Sequence, residues 1–338
     1  MPWRETADPY KIWVSEVMLQ QTQVTTAIDY YLRFIQSFPT VRHLAEADID
    51  NVMKVWENLG YYSRARNLHL AAGEIVSRFQ GRIPEEMDDL LSLPGIGLYT
   101  AGAVLSIAYG KRVPVLDGNV IRVLTRLFHI TENTGQTRVR KELRELAETL
   151  LPEKNVRDFN EALMELGSVV CKPRQPGCMS CPLKQFCEAD KLSIQEELPV
   201  KPPRKPVPHF DVVAGVIWNE DRFLITRRQP KGLLGGLWEF PGGKVEKGEK
   251  KESALERELF EELRVRVRII RSLISIPHAY THFKITLHLY ECRFIGGHVR
   301  LKQATAFQWI QAKDLDQFAF PAANRKAMDI LKESEPTT

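Results

Sequence analysis

Four cysteines fall within seventeen residues: Cys171, Cys178, Cys181 and Cys187, with Cys292 standing far from them. Thiols at this density are metal ligands or disulfide partners. The first residues, Met1-Pro2-Trp3-Arg4-Glu5, lack the basic and apolar pattern of a secretion signal. That argues against disulfides and predicts an intracellular, cytoplasmic protein. Pro173, Pro176, Gly177 and Pro182 bend the chain enough to bring four sulfurs to one centre. Zinc and an iron–sulfur cluster both accept four thiolates, and only 178–181 has the C-x-x-C spacing of a zinc knuckle. A second chemical group lies near the start, where Glu16 is set among Trp13, Val14, Val17, Met18 and Leu19. Apolar surroundings disfavour a carboxylate's charged form and raise its pKa, as a general acid near neutral pH requires.

A third candidate is Asp117, between Leu116 and Gly118-Asn119. Asp is a favoured helix N-cap, and a cap holds its carboxylate in place. Residues 91–103 hold the turn Pro94-Gly95-Ile96-Gly97 ahead of small residues. Such a turn into a new helix points free N–H groups outward and binds phosphate without a basic side chain. An ordinary helical hairpin has the same appearance.

These groups need elements to position them. Across the first two hundred residues the apolar period is 3.6. Trp13, Val17, Val24, Ile28, Tyr31 and Ile35 suit one helix or a coupled pair, and helices are expected near 43–58, 62–79, 86–93, 97–109, 118–128, 137–150 and 156–169. Residues 199–208 hold five prolines with Lys201, Arg204 and Lys205, the composition of a stiff linker. Beyond it the period becomes two: strands are expected at 211–218, 222–228, 265–276, 283–294 and 306–310, with helices at 250–263 and 321–333. The fold class is thus multidomain, an all-α part followed by an α+β part with a mixed sheet. The 338 residues and net charge of +4 suit two domains and permit, without requiring, nucleic-acid binding. No stretch is long and apolar enough for a membrane helix.

The L-P-G-I-G turn, the Val115–Val120 segment around Asp117 and the four-cysteine loop together resemble the helix–hairpin–helix DNA glycosylases. The segment from Trp13 to Val24 is similar to the adenine DNA glycosylases of the MutY family, a likeness covering essentially the whole chain. It implies a helix–hairpin–helix glycosylase domain over 1–190 with the cysteine loop at 171–187, a linker at 191–209, and a Nudix-like (MutT-related) domain over 210–335. It also implies a 4Fe–4S cluster on the four cysteines, and a monomer acting on double-stranded DNA in which adenine faces 8-oxoguanine or guanine. The protein would be cytoplasmic, associated with the nucleoid.

The resemblance carries roles to individual residues. Glu16 protonates the extruded adenine. Asp117 stabilises the cationic sugar or bonds to it transiently, the two carboxylates having opposed pKa tuning, and Tyr99 lies beside them. Trp3, Arg4 and Glu161 surround the adenine, although Glu161 by pattern alone is a helix-face charge. Gln21, Leu59 and Tyr61 contact or wedge beside the damaged guanine, and Thr281 and His282 read it. Tyr280 and Thr281 stand where the family pattern has Phe and Ser. Pro94, Gly95 and Gly97 hold the DNA backbone; Lys172, Arg174 and Lys184 in and beside the cysteine loop suit phosphate contacts, although individually each is an ordinary solvated charge. Glycosylases that also cut the strand form a Schiff base through a lysine in this turn. Here Tyr99 and Thr100 follow the turn and the next lysine is Lys111, so a monofunctional enzyme is expected.

Gly243, Glu249, Arg257, Glu258, Glu261 and Glu262 fit the Nudix box. Glu258, Glu261 and Glu262 share one helix face, where a cation such as magnesium would offset their repulsion. Arg264 replaces the glycine that would end the helix. The alternative function is therefore a DNA-binding protein with nucleotide pyrophosphohydrolase activity, against an inherited fold element that reads the lesion. A further helical segment precedes Pro2-Trp3-Arg4 in the family, so an internally assigned start is also expected.

Overall fold

The computed structural model describes residues 1–202 and 206–333, so the proline-rich positions 203–205 lie outside the described residues. The chain forms two compact units: Met1–Ala47 with Asn67–Arg204, and Asp48–Arg66 with Lys205–Thr338.

Helices run through the first part in chain order: α1 (Pro9–Leu19), α2 (Val24–Ser37), α3 (Val41–Glu46), α4 (Ile49–Val55), α5 (Ser63–Phe79), α6 (Met87–Leu91), α7 (Leu98–Ala103), α8 (Gly118–Leu127), α9 (Thr137–Thr149), α10 (Val156–Glu165) and the single turn α11 (Glu188–Lys191). The stretch 43–58 is two helices, because the Asp48 carboxylate accepts from the Asp50 N–H at 2.7 Å and starts the second. Helices α7 and α10 each continue into a wider π-type turn, Val104–Ala108 and Leu166–Val170. Proline at the first position and the Asp8 cap begin α1, where Asp8 Oδ1 accepts from Tyr10 N at 2.9 Å. That helix is buried from Ile12 to Met18, as a central helix must be. Ile12 packs with Ala103, Ile107, Val120, Leu124 and Leu143, so α1, α7, α8 and α9 share one core.

The second unit is built on a seven-stranded sheet: β1 (His209–Asn219), β2 (Arg222–Arg227), β3 (Trp238–Glu239), β4 (Gly242–Lys244), β5 (Val265–Ala279), β6 (Lys284–Gly297) and β7 (Ala306–Ile310). Its order is β3-β2-β1-β6-β5, with β4 on β1 and β7 on β2. Among the described residues only β1 and β6 pair in parallel, so the sheet is mixed, as its sequence predicts. Strands β3 and β4 are too short to show alternation, and the sequence reading misses them. Alternate β1 residues serve opposite faces. Val213 and Ile217 pack with Leu255 and Leu259 of α12 (Lys251–Leu263), while Ala214 and Val216 pack with Ala327 and Met328 of α13 (Ala322–Glu333). Each such large aliphatic side chain stabilises the fold by about 1.5–3 kcal/mol. His288, buried in β6, bridges Asp211 at 2.8 Å and Ser275 at 2.7 Å, pinning three strands together.

Candidate active site and thiolate loop

Glu16 is only 4% exposed. Burial dominates its electrostatics and raises its pKa to about 7, helped by nearby Asp117 and Glu161 and opposed by Tyr99 and Arg4. The Tyr99 hydroxyl, carried at the start of α7, donates to the Glu16 carboxylate. Burial, then the charge and hydrogen bond of Glu16, push the Tyr99 phenol well above its ordinary value, so it stays a neutral donor.

Asp117 is the N-cap of α8. Its Oδ1 accepts from Val120 N at 2.7 Å, and its Oδ2 accepts from Asn119 Nδ2 at 2.8 Å. The expected opposition between the two carboxylates is corrected here: burial raises Asp117 as well. What differs is the opposing set, since the Val120 and Asn119 donors and the Arg122 charge all favour the ionised form of Asp117. Asn160 of α10 sets the approach to this cap, accepting from Val115 N at 3.3 Å and donating to Val113 O at 3.0 Å.

Glu161 lies on α10 and pairs with Arg4 at 2.8 Å. It is therefore a partly buried, paired carboxylate and not a free charge on a solvated helix face. Arg4 Nε and Glu161 Oε1 are buried and have no hydrogen-bond partner among the described residues. Trp3 is buried edge-on against Tyr31, with ring centroids 5.3 Å apart. Gln21 is exposed in the left-handed conformation, φ 58°, just after α1.

The four cysteines line one cavity together with Arg126, Lys184 and Asp190. Arg126 is buried and holds this loop from α8. It donates to Leu198 O at 3.1 Å, Lys172 O at 2.7 Å, Pro173 O at 3.1 Å and Cys171 Sγ at 3.3 Å. Arg122 donates to Cys171 O at 2.7 Å and to Asn119 Oδ1 at 2.9 Å, linking the loop to the Asp117 cap. Burial, the neighbouring Asp190 and the other thiols push Cys178 up, and burial pushes Cys187 up. Four thiols lining one cavity with a cation beside them have the donor chemistry of a soft metal centre, although among the described residues no three of them stand close enough together to hold an ion. Lys184 is not a free phosphate contact, being held by Asp190 at 2.6 Å, whereas Lys172 and Arg174 are exposed.

Residues 14–149 match the family profile of the HhH-GPD superfamily base excision DNA repair proteins, and residues 213–329 match that of the NUDIX domain. The adenine DNA glycosylase of Homo sapiens is 32% identical, the alignment covering all of this chain and 72% of that one. That of Buchnera aphidicola from Acyrthosiphon pisum is 30% identical over 99% of this chain and 93% of its own. This chain belongs to the adenine DNA glycosylases. Among solved structures, a thermostable thymine-DNA glycosylase is 32% identical with a TM-score of 0.53, covering 57% of this chain and 88% of its own. A non-covalent endonuclease III–DNA complex, 23% identical with a TM-score of 0.50 over 56% of this chain and 86% of its own, shares the helical fold.

In this glycosylase the turn at 94–97 leads directly into α7. Gly95 adopts φ +77°, and a Cβ there would meet Asn67 at 2.6 Å, so a side chain is excluded twice over. Gly97 caps α7 with open space beside it, and Pro94 is half-buried. Of the residues expected at the damaged guanine, Gln21 belongs to the first unit and Leu59, Tyr61, Thr281 and His282 to the second. Leu59 is 7% exposed, while Tyr61 is half-buried, adopts φ 48° and donates to Thr281 Oγ1 at 2.8 Å. Thr281 and His282 are exposed. Tyr280 before them is held by stacking on Phe283, centroids 4.6 Å apart.

The Nudix box is assembled around Arg257. It donates to Glu249 at 2.8 and 2.9 Å and to Glu258 at 3.1 Å, holding Glu249 at a pKa of about 2. Gly243 lets the Glu258 carboxylate come close, since a Cβ would lie 2.1 Å from its carboxyl carbon and the flexible side chain would have to swing aside. Glu261 is half-exposed, and Glu262 accepts from Gln303 at 3.1 Å. Arg264 ends α12 in the left-handed conformation, φ 59°, with its guanidinium over Phe260. A sequence reading misses Arg122, Arg126 and Arg157, because a buried arginine that caps carbonyls looks the same in a sequence as a surface charge.

Proposed function

We propose that the protein hydrolyses the N-glycosidic bond of adenine mispaired with 8-oxoguanine or guanine in duplex DNA. The observation that carries this reading is the buried Glu16, poised near pH 7 and held by Tyr99. In its protonated form Glu16 donates a proton to a ring nitrogen of the extruded base, making it a neutral leaving group. The bond from sugar C1′ to that base breaks, and Asp117 offsets the positive charge that develops on the sugar. Water supplies the new oxygen on C1′, and its proton goes to the Glu16 carboxylate, which restores the acid. Arg4 Nε and Glu161 Oε1, which make no hydrogen bond, are a donor and an acceptor suited to the polar edge of adenine. Lys111, the first lysine after the turn, is held by Glu86 at 2.8 Å, which supports hydrolysis over Schiff-base chemistry.

Pro94, Gly95 and Gly97 would present backbone N–H groups to a phosphate. Gln21, Leu59, Tyr61, Thr281 and His282 would read the base opposite adenine, the Tyr61–Thr281 hydrogen bond supporting joint action of two of them. Cys171, Cys178, Cys181 and Cys187 would hold a 4Fe–4S cluster, which would brace the loop that presents Lys172 and Arg174. Iron and sulfide analysis of purified protein tests that assignment, and zinc in their place would overturn it.

The deciding experiment is single-turnover base release from duplexes pairing adenine with 8-oxoguanine, guanine or thymine, with and without alkali. Fast release opposite 8-oxoguanine, slower release opposite guanine and strand scission only with alkali are expected. Absence of release from folded, iron-loaded protein would sink the reading.

A second reading is favoured by the space that Gly243 leaves for Glu258. Glu258, Glu261 and Glu262 would hold magnesium through hard oxygen donors, and the second unit would then hydrolyse nucleotide pyrophosphates. Bound magnesium would serve to neutralise phosphate charge. Calorimetric magnesium binding that disappears in Glu258→Gln is expected, and an absence of binding removes this reading.

A further inference from the structure

Arg157 closes a ring of contacts around the two residues assigned above to the adenine edge. It stands at the second position of α10, after Asn155 in the left-handed conformation, φ 59°. Its terminal nitrogen donates to Arg4 O at 2.8 Å and to Thr6 O at 3.0 Å, two carbonyls 153 and 151 residues away in sequence. Its Nε lies 3.5 Å from Glu161 Oε1, one helical turn further on, in a charge contact that leaves that oxygen without a hydrogen bond. The other oxygen of Glu161 pairs with the Arg4 guanidinium at 2.8 Å. One forked side chain therefore fixes the backbone that carries Arg4 and faces the carboxylate that receives it. The same segment leads through the Asp8 cap into α1, the helix that carries Glu16.

We infer that Arg157 is a positioning residue for adenine excision: it presets Arg4 and Glu161 so that their unspent donor and acceptor meet the extruded base. The inference rests on the adenine-excision reading above. Arginine suits the task because its planar fork can span two carbonyls and a carboxylate at once, whereas a lysine ammonium is a single point of attachment. Arg157 touches no reacting atom. Its effect must therefore pass through Arg4, which separates it from a side chain that merely ties down the start of the chain.

The test is a double-mutant cycle on the full, iron-loaded chain, reading single-turnover adenine release opposite 8-oxoguanine at saturating protein and, separately, the Kd for the same duplex. Arg157→Gln should slow release about tenfold or more with Kd unchanged, the mark of a lost transition-state contact. Arg4→Gln combined with Arg157→Gln should be no slower than Arg4→Gln alone. Should Arg157→Gln fail to fold, Arg157→Lys replaces it in the cycle, with a smaller loss expected and the same non-additivity. Wild-type release by the folded Arg157 variant, or a double variant whose loss is the product of the two single losses, would overturn the inference. No adenine release by the wild type, or no effect of Arg4→Gln, would instead mark failure of the underlying reading.

Discussion

Two carboxylate centres in this molecule use the same chemical group in opposite environments. In the first unit Glu16 is buried in an apolar helix, and burial outweighs Tyr99 and Arg4, so its pKa rises to about 7. In the second unit Glu249 is held by two hydrogen bonds from Arg257 at the surface, and its pKa falls to about 2. Desolvation favours the neutral acid and a cationic partner favours the anion. Where both act, the outcome depends on which is stronger at that site. The buried centre keeps a proton available for transfer, while the surface centre keeps charge available for a partner or a metal.

The pH dependence of the two centres runs in opposite directions. The folded-state pKa of Glu16 is raised, so its contribution to stability is present below the ordinary carboxyl range and is lost as pH rises through about 7. That of Glu249 is lowered, so its contribution is present above the ordinary range and is lost as pH falls towards about 2. The rate of base release should accordingly fall as pH rises through about 7, following the protonated fraction of Glu16. A flat profile between pH 6 and about 8 would break the contrast.

The largest expected effect comes from removing the proton donor. Glu16→Gln should slow adenine release by about 10²–10⁴-fold with the fold intact, as measured under single turnover. Asp117→Asn separates cap from charge: asparagine caps as well as aspartate, so the melting temperature should barely move while release drops by about 10²-fold or more. Equal retention of rate and stability would reduce Asp117 to a cap. In the second unit, Gly243→Ala makes the Glu258 carboxylate swing aside and should cost only about 0.5–1 kcal/mol in denaturant unfolding, leaving base release chemistry untouched. The smallest effect is a gain. Arg264→Gly relieves a left-handed non-glycine cap and should stabilise the unit by about 0.5–1 kcal/mol, less whatever the Phe260 contact contributes.

The centre around Glu16 was largely legible in the sequence because its burial is local. Ile12 to Met18 surround the carboxyl within two turns of one helix, and that pattern can be read without knowing the fold. The Asp117 cap is equally local, depending on the N–H group three residues on. The Nudix box declares itself through spacing, and its Arg257–Glu249 bond spans only eight residues. Long-range relationships were not legible. The Arg4–Glu161 pair joins residues 157 positions apart in the numbering, and a sequence alone leaves Glu161 as an ordinary helix charge. The raised pKa of Asp117 was missed for the same reason, since its burial comes from elements distant along the chain.

By itself the sequence determined where most of the longer helices and strands lie, that four thiols fall in one loop, and that a helical part precedes an α+β part. Those features depend on period, caps and spacing within a few residues. Only the tertiary structure decided that residues 48–66 group with the C-terminal unit, that Arg122 and Arg126 serve buried carbonyls beside the thiols, and that Arg157 grips the backbone leading to Glu16. Each of these is a demand of burial. A carbonyl taken out of water must find a donor, and which side chain supplies it is settled by proximity in space, which local sequence does not encode.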